Sequence, residues 1–133
     1  MKPDVIDDIM TIKVAKIEED KTLKEAEDMI QAWQVRKLVV TRQEKPIFIL
    51  VESNIWGKDR IKSIKESFKE EELKKVVTVP TGTIIDDEVR QKLAENPAIV
   101  IMDRQNKDIE GVVTATDLRH LVDRRLQKAQ WQR

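Results

Sequence analysis

Gly111-Val112-Val113-Thr114-Ala115-Thr116-Asp117-Leu118 is the stretch from which the rest of the chain can be read. It has the pattern of a buried strand that runs straight into the first turn of a helix. Val112 and Val113 are β-branched and suit a packed, pleated surface. Gly111 carries no Cβ, so another group can come close to the backbone there. Thr114 opens a Thr-x-x-Asp spacing, and an apolar helical period follows at Leu118, Leu121, Val122 and Leu126. A hydroxyl and a carboxylate thereby meet at a strand end and helix start, where α/β proteins hold small ligands.

Working outward, Ile99 to Met102 is expected as a strand, Asp103 to Lys107 as a turn, and Leu118 to about Ala129 as the last helix. Val76 to Val79 reads as extended. Thr83-Ile84-Ile85-Asp86 reads as another Thr-x-x-acid helix start, followed by Val89 and Leu93 and ended by Asn96-Pro97. Earlier in the chain, Pro3 to Met10 suggests a short helical turn and Val14 to Ile17 an extended segment. Thr22 and Glu25 have the spacing of a capping box, in front of a helix carrying Leu23, Ala26, Met29 or Ile30, and Trp33. Trp33 reads as core or groove wall. Leu38 to Val40 and Ile47 to Val51 are strands around a turn, and a helical pattern with Ile55, Ile61, Ile64 and Phe68 is expected from about Asn54. The run Glu18 to Lys21 reads as a solvated turn.

The second half repeats the first. Arg42-Gln43-Glu44-Lys45-Pro46-Ile47 matches Arg104-Gln105-Asn106-Lys107-Asp108-Ile109 at a spacing of 62, with four of six residues identical. Leu38-Val39-Val40 matches Val100-Ile101-Met102 at the same spacing, and Thr22 and Thr83 lie 61 apart. Matching offsets along strand, helix start and turn mark a duplicated unit that reads β-α-β-β-α. One such unit leaves apolar faces uncovered, so residues 1–75 and 76–133 are expected to pack face to face as two halves of one α+β body.

Composition narrows the function. Twenty-five basic and twenty-five acidic residues cancel, so no global field attracts nucleic acid or an anionic membrane. The absence of cysteine removes disulfides, thiolate metal sites and a cysteine nucleophile. No apolar run approaches the roughly 20 residues that span a bilayer, and Met1-Lys2-Pro3-Asp4 does not begin a signal peptide. A soluble, cytoplasmic protein is the expectation. His120, the single histidine, reads as a surface or interface residue rather than a catalyst, and no enzyme activity is expected. Arg119 to Arg133 holds five basic residues and one acidic one, but without interleaved aromatics it is a weak nucleic-acid signal. Trp131 reads as part of a frayed or interface end.

Taken together, the chain resembles the cystathionine-β-synthase (CBS) domain, as a tandem pair or Bateman module without an attached catalytic domain. The likeness rests on Asp8-Ile9-Met10-Thr11, Thr22-Leu23-Lys24-Glu25-Ala26, Val35-Arg36-Lys37-Leu38-Val39-Val40 and the stretch from Gly111 to Leu118. The resemblance implies two β-α-β-β-α repeats related by a pseudo-twofold axis, dimerisation into a disc, and regulation of an enzyme, channel or transporter. It also implies an adenosine ligand (AMP, ADP, ATP or S-adenosylmethionine) in a cleft between repeats. Carried onto this chain, the cleft takes Thr114, Thr116 and Asp117 from the second repeat, and Ala15, Val35, Arg36, Lys37 and Leu38 from the first.

The chemistry fits each role. Asp117 can accept from a ribose diol. Thr114 and Thr116 stand at a helix start whose free amides favour phosphate, and Arg36 or Lys37 can neutralise it. Ala15, Val35 and Leu38 form an apolar slot. The other cleft is degraded: at a spacing of 63, Phe48 stands opposite Gly111, Val51 opposite Thr114 and Asn54 opposite Asp117, while Pro97-Ala98 takes the place of Arg36-Lys37. That cleft is expected to be empty or to bind something less charged. The alternatives are a plain capping role for Asp117, solvated charges at Arg36 and Lys37, and a constitutive dimerisation module with no ligand.

Overall fold

A computed structural model describes residues 4–131, the side chains of residues 124, 125 and 127–131 excepted. Pro3 and the side chains of most of the basic C-terminal stretch, Trp131 included, lie outside the described residues. The order of elements is β1 (Lys16–Glu18), α1 (Leu23–Trp33), β2 (Lys37–Arg42), β3 (Lys45–Val51), α2 (Ile64–Ser67), β4 (Val77–Pro80), α3 (Asp87–Glu95), β5 (Ile99–Met102), β6 (Ile109–Val113) and α4 (Ala115–Trp131). Two three-stranded sheets result, β1-β2-β3 and β4-β5-β6, each with a parallel first pair and an antiparallel second pair. This is the mixed α+β architecture of two β-α-β-β-α repeats with pseudo-twofold symmetry.

Side-chain alternation along the strands builds three apolar clusters. Leu38, Val40 and Leu50 face the first core with Leu23, Ala26 and Ile30 of α1. Ile99, Ile101 and Val113 face the second with Val89 and Leu93 of α3. Residues of opposite parity, Val39 and Ile49 with Val100 and Met102, form a third cluster that both sheets share, and this joins the repeats.

The second core is completed by chain from the first half. Ile6 and Ile9, in and after a 3-10 turn at Ile6–Asp8, pack in the second core. Backbone bonds fix this segment there: Ile6 N to Thr83 O at 2.8 Å, Ile85 N to Asp4 O at 2.9 Å, and a reciprocal pair between Thr11 and Val112. The connecting chain stays with its own half, with Phe68 and Leu73 packed in the first core.

Strand register refines the duplication. Leu38 pairs with Leu50 and Ile99 with Val113; Val40 pairs with Phe48 and Ile101 with Gly111. Equivalent residues are therefore 61 apart in β2 and β5 and 63 apart in β3 and β6, because the second hairpin is two residues longer. The match of residues 42–47 with 104–109 at 62 spans the turn where the offset changes. The match of Leu38-Val39-Val40 with Val100-Ile101-Met102 is one residue out, since Leu38 corresponds to Ile99 and Val40 to Ile101. The first hairpin closes through Gln43 (φ 51°) and Glu44 (φ 69°), a two-residue left-handed turn without Gly or Asn. Glu18 Oε1 accepts from the Glu44 amide at 3.2 Å and from Thr41 Oγ1 at 2.8 Å, which holds that turn from β1.

Four local expectations are corrected. The helix expected from about Asn54 is broken into a 3-10 turn at Glu52–Ile55, the four-residue α2 and a further 3-10 turn at Glu72–Lys74. Gly57 at φ 76° ends the first piece, and Ser63 caps α2 by accepting from the Glu66 amide. Ile61 is left 85% exposed. Next, α3 starts at Asp86 rather than Thr83. Asp86 Oδ1 accepts from the Val89 amide at 2.9 Å, while Thr83 Oγ1 donates to the Pro80 carbonyl in the preceding turn. Asp86→Ala should therefore speed amide exchange at Val89, with a loss of about 1 kcal/mol, and Thr83→Ala should leave that amide unchanged.

Third, Glu19 is not solvated but buried, and Arg42 donates to it at 2.7 Å. The same guanidinium binds Glu70 through two further bonds, at 3.0 and 3.2 Å, which pulls the Glu70 carboxyl below its usual range. Sequence separation hid this triad, since Glu19, Arg42 and Glu70 are joined only by the fold. Trp33 is not core. It stands 46% exposed with the Lys13 ammonium 5.4 Å from its ring centroid. Among the described residues no helix is long and apolar enough to cross a membrane.

Candidate functional site

The turn from β6 into α4 is built by its own side chains. Thr114 directly precedes the helix, and Asp117 Oδ2 accepts from its amide at 2.8 Å and its hydroxyl at 3.2 Å. This ties the carboxylate to the helix start, where the macrodipole favours negative charge. Asp117 Oδ1 has no protein partner among the described residues. The first repeat reproduces the contact, with Asn54 Oδ1 accepting from the Val51 amide at 2.8 Å. The pairs Val51/Asn54 and Thr114/Asp117 thus share one geometry and differ in one hydroxyl and one charge.

Gly111 has a structural cause. A Cβ there would meet Met10 Sδ at 2.6 Å, Met10 Cγ at 2.9 Å and the Thr11 carbonyl oxygen at 3.0 Å. The space beside β6 is filled by the crossing N-terminal segment. In the first repeat Phe48 takes this position and packs on Phe68, ring centroids 5.1 Å apart.

Between the repeats lies a hollow of about 60 Å³. Val14, Ala15, Lys37, Leu38, Val39 and Ile49 line it from the first repeat, and Ala98, Val112 and Thr114 from the second. The fold therefore brings Ala15, Lys37, Leu38 and Thr114 to one crevice. Asp117 is half-buried and bonded to Thr114 at its edge. Thr116 is exposed on the first turn of α4, and Arg36 is exposed before β2. Val35 packs with the first core instead, where its amide closes α1 by donating to the Ile30 carbonyl at 3.1 Å. Lys37 is already engaged: its Nζ donates to the Pro97 carbonyl at 2.7 Å.

Val14, Val39, Ile49, Ala98 and Val112 were not among the sequence-predicted site residues. The signal for four of them was strand alternation, which assigns Val39, Ile49 and Val112 to the shared face and places Ala98 at the mouth of β5. The hollow is also small, against about 300 Å³ at the lower end for small-molecule pockets. A wider groove of about 370 Å³ lies at the hairpin end, lined by residues such as Lys16, Glu18, Glu44, Lys107 and Asp108. It contains none of the predicted site residues, and Glu18 within it is occupied by Thr41 and Glu44. Among the described residues no cluster of His, Asp and Glu is placed to hold a metal ion.

No family model matches this chain, and no curated protein matches it by sequence. Solved structures do match. A CBS domain pair/ACT domain protein from Thermotoga maritima aligns at TM-score 0.66 and 16% identity, covering 90% of this chain and 98% of that one. A CBS domain pair in complex with 5′-methylthioadenosine and S-adenosyl-L-methionine aligns at 0.75 and 17%, covering 93% and 99%. The cytosolic domain of the Mg2+ channel MgtE in complex with ATP aligns at 0.71 and 18%, covering 89% of this chain and 48% of that one. With two matching sheets, an N-terminal segment that crosses to the second core and these neighbours, the chain has the fold of a tandem CBS domain pair.

Proposed function

We propose that this chain is a regulatory module that senses an adenosine nucleotide in the hollow between its repeats and passes occupancy to a partner enzyme or transporter, as a homodimer. The observation that carries this reading is the convergence of Ala15, Lys37 and Leu38 with Thr114, and of Thr114 with Asp117, at one inter-repeat crevice. Ala15 and Leu38 offer apolar contact to a base, the free Oδ1 of Asp117 an acceptor for a ribose, and Arg36 and Lys37 positive charge for phosphate. The neighbours solved with ATP and with S-adenosyl-L-methionine support a ligand of this class. Thr116 and Val35 belong to the proposed site only if the crevice opens.

A second reading, a dimerisation scaffold without a ligand, is favoured by the small volume of the hollow. One substitution separates the two. Asp117→Asn keeps the helix cap, because Asn54 performs the same task in the first repeat, and removes the charge. The ligand-free variant should lose no more than about 1 kcal/mol, the share of the charge at the helix start. The wild type should gain about 2.7 kcal/mol when AMP, ADP, ATP or S-adenosylmethionine is present at about 100 times its dissociation constant, and Asp117→Asn should lose most of that gain. A wild-type melting curve indifferent to all four ligands would establish the scaffold instead.

A further inference from the structure

Lys37 does more than line the hollow. From the start of β2 its Nζ reaches the Pro97 carbonyl, just ahead of β5, at 2.7 Å. The bond therefore crosses from one repeat to the other beside the hollow, which Lys37 and Ala98 both line. Building on the nucleotide reading, we propose that Lys37 is a latch that holds the hollow closed in the ligand-free chain, and that a 5′-phosphate opens it by drawing the ammonium off Pro97.

The size of the hollow requires an opening step. At about 60 Å³ it admits no nucleoside, so the facing strand entrances must part before a base can enter. The charged group beside the hollow is held by a neutral carbonyl, and the contact is exposed to water, so it exchanges readily. A phosphate is a stronger partner for an ammonium than a carbonyl is, since both members are then ionised. A neutral nucleoside brings no such replacement and must break the Lys37 contact uncompensated, while a cationic sulfonium repels the same group. The latch thus selects for a nucleoside carrying a 5′-phosphate.

It also gives occupancy somewhere to go. Pro97 follows Asn96, whose amide and side-chain nitrogen both donate to the Lys92 carbonyl at the end of α3. Releasing Pro97 frees the turn that ties α3 to β5. That is a differential contact between closed and open states, which any coupling by a ligand requires.

The test is titration calorimetry with AMP and with adenosine on wild type, Lys37→Met and Lys45→Met, plus amide exchange without ligand. Lys45→Met is the control because Lys45 also bridges the repeats, donating to the Asn106 and Lys107 carbonyls, but at the hairpin end. The wild type should prefer AMP over adenosine by about tenfold or more. Lys37→Met should bind adenosine at least as well as wild type and lose that preference, and Lys45→Met should keep it. In ligand-free protein, Lys37→Met should speed exchange at Ala98 and the β5 amides. An unchanged AMP preference in Lys37→Met overturns the latch and leaves the nucleotide site standing, as does unchanged exchange. Failure of the wild type to bind either compound removes the nucleotide reading and the latch with it.

Discussion

Ile6→Ala is expected to cost about 3 kcal/mol of unfolding free energy, measured by urea denaturation, although the residue sits in a three-residue turn near the start of the chain. Its side chain is 0% exposed and lies in the second core with Val79, Ile85, Val89, Ile99, Ile101 and Val113. Truncating a fully buried isoleucine removes its transfer free energy and leaves a cavity that β5 and β6 cannot collapse into, since both are held in register. Ile12, 77% exposed a few residues later, provides the comparison: Ile12→Ala should stay within about 0.5 kcal/mol. Equal effects at the two positions would mean that the N-terminal segment is an appendage and that the second core is complete without it. A loss confined to Ile6 would show that the first residues of the chain stabilise its second half.

That crossing of the N-terminal segment marks where sequence reading succeeds and where it stops. The strands were legible because Leu38 to Val40, Ile99 to Met102 and Gly111 to Val113 are apolar, β-branched runs bounded by turn residues. The α1 start was legible because both halves of its capping box are local, with Thr22 and Glu25 bonding each other's backbone at 3.1 and 3.0 Å. The α3 start was misplaced because Thr83 and Asp86 are both good caps, and the choice is made at a distance. Asp4 and Ile6, some 80 residues upstream, take the Ile85 amide and the Thr83 carbonyl and hold the chain before Asp86 extended. The helix expected after Asn54 failed for a related reason. Ile64 N and Lys65 N bond to the carbonyls of Lys21 and Glu19, and Leu23 N and Lys24 N to those of Lys62 and Arg60, so this stretch is held against the α1 start rather than wound into one helix.

The site shows the same division. The contact of Thr114 with Asp117 at the α4 start was legible because a helix start is written within four residues. The facing wall of Val39, Ile49 and Ala98 depends on which sheet faces pair, which no short stretch encodes. The buried Glu19 was misread because its partner Arg42 lies 23 positions away. An unpaired carboxylate at that depth would be costly, so only the fold reveals why the residue is tolerated there.

Gly111→Ala should destabilise the protein by about 1–3 kcal/mol, and the sign is the informative part. In an open strand, alanine is favoured over glycine by about 0.5–1 kcal/mol, because it loses less backbone freedom on folding. Here the added Cβ meets Met10 Sδ at 2.6 Å, Met10 Cγ at 2.9 Å and the Thr11 carbonyl oxygen at 3.0 Å. Met10 is a flexible side chain and can swing aside. The Thr11 carbonyl is backbone and accepts from the Val112 amide at 3.1 Å, so relief there means loosening the bridge that holds the N-terminal segment on β6. A double-mutant cycle separates the two contributions. Met10→Ala should rescue part of the loss, with a coupling of about 0.5–2 kcal/mol, and the remainder is the Thr11 share. The bridge leads within three residues into Val14 and Ala15, which line the hollow. A displaced segment should therefore weaken the proposed nucleotide binding as well, and more in Gly111→Ala than in the double variant. Stabilisation by Gly111→Ala would mean that the close crossing of Met10 over β6 does not exist, and with it would go the packing that sets Ala15 against Thr114.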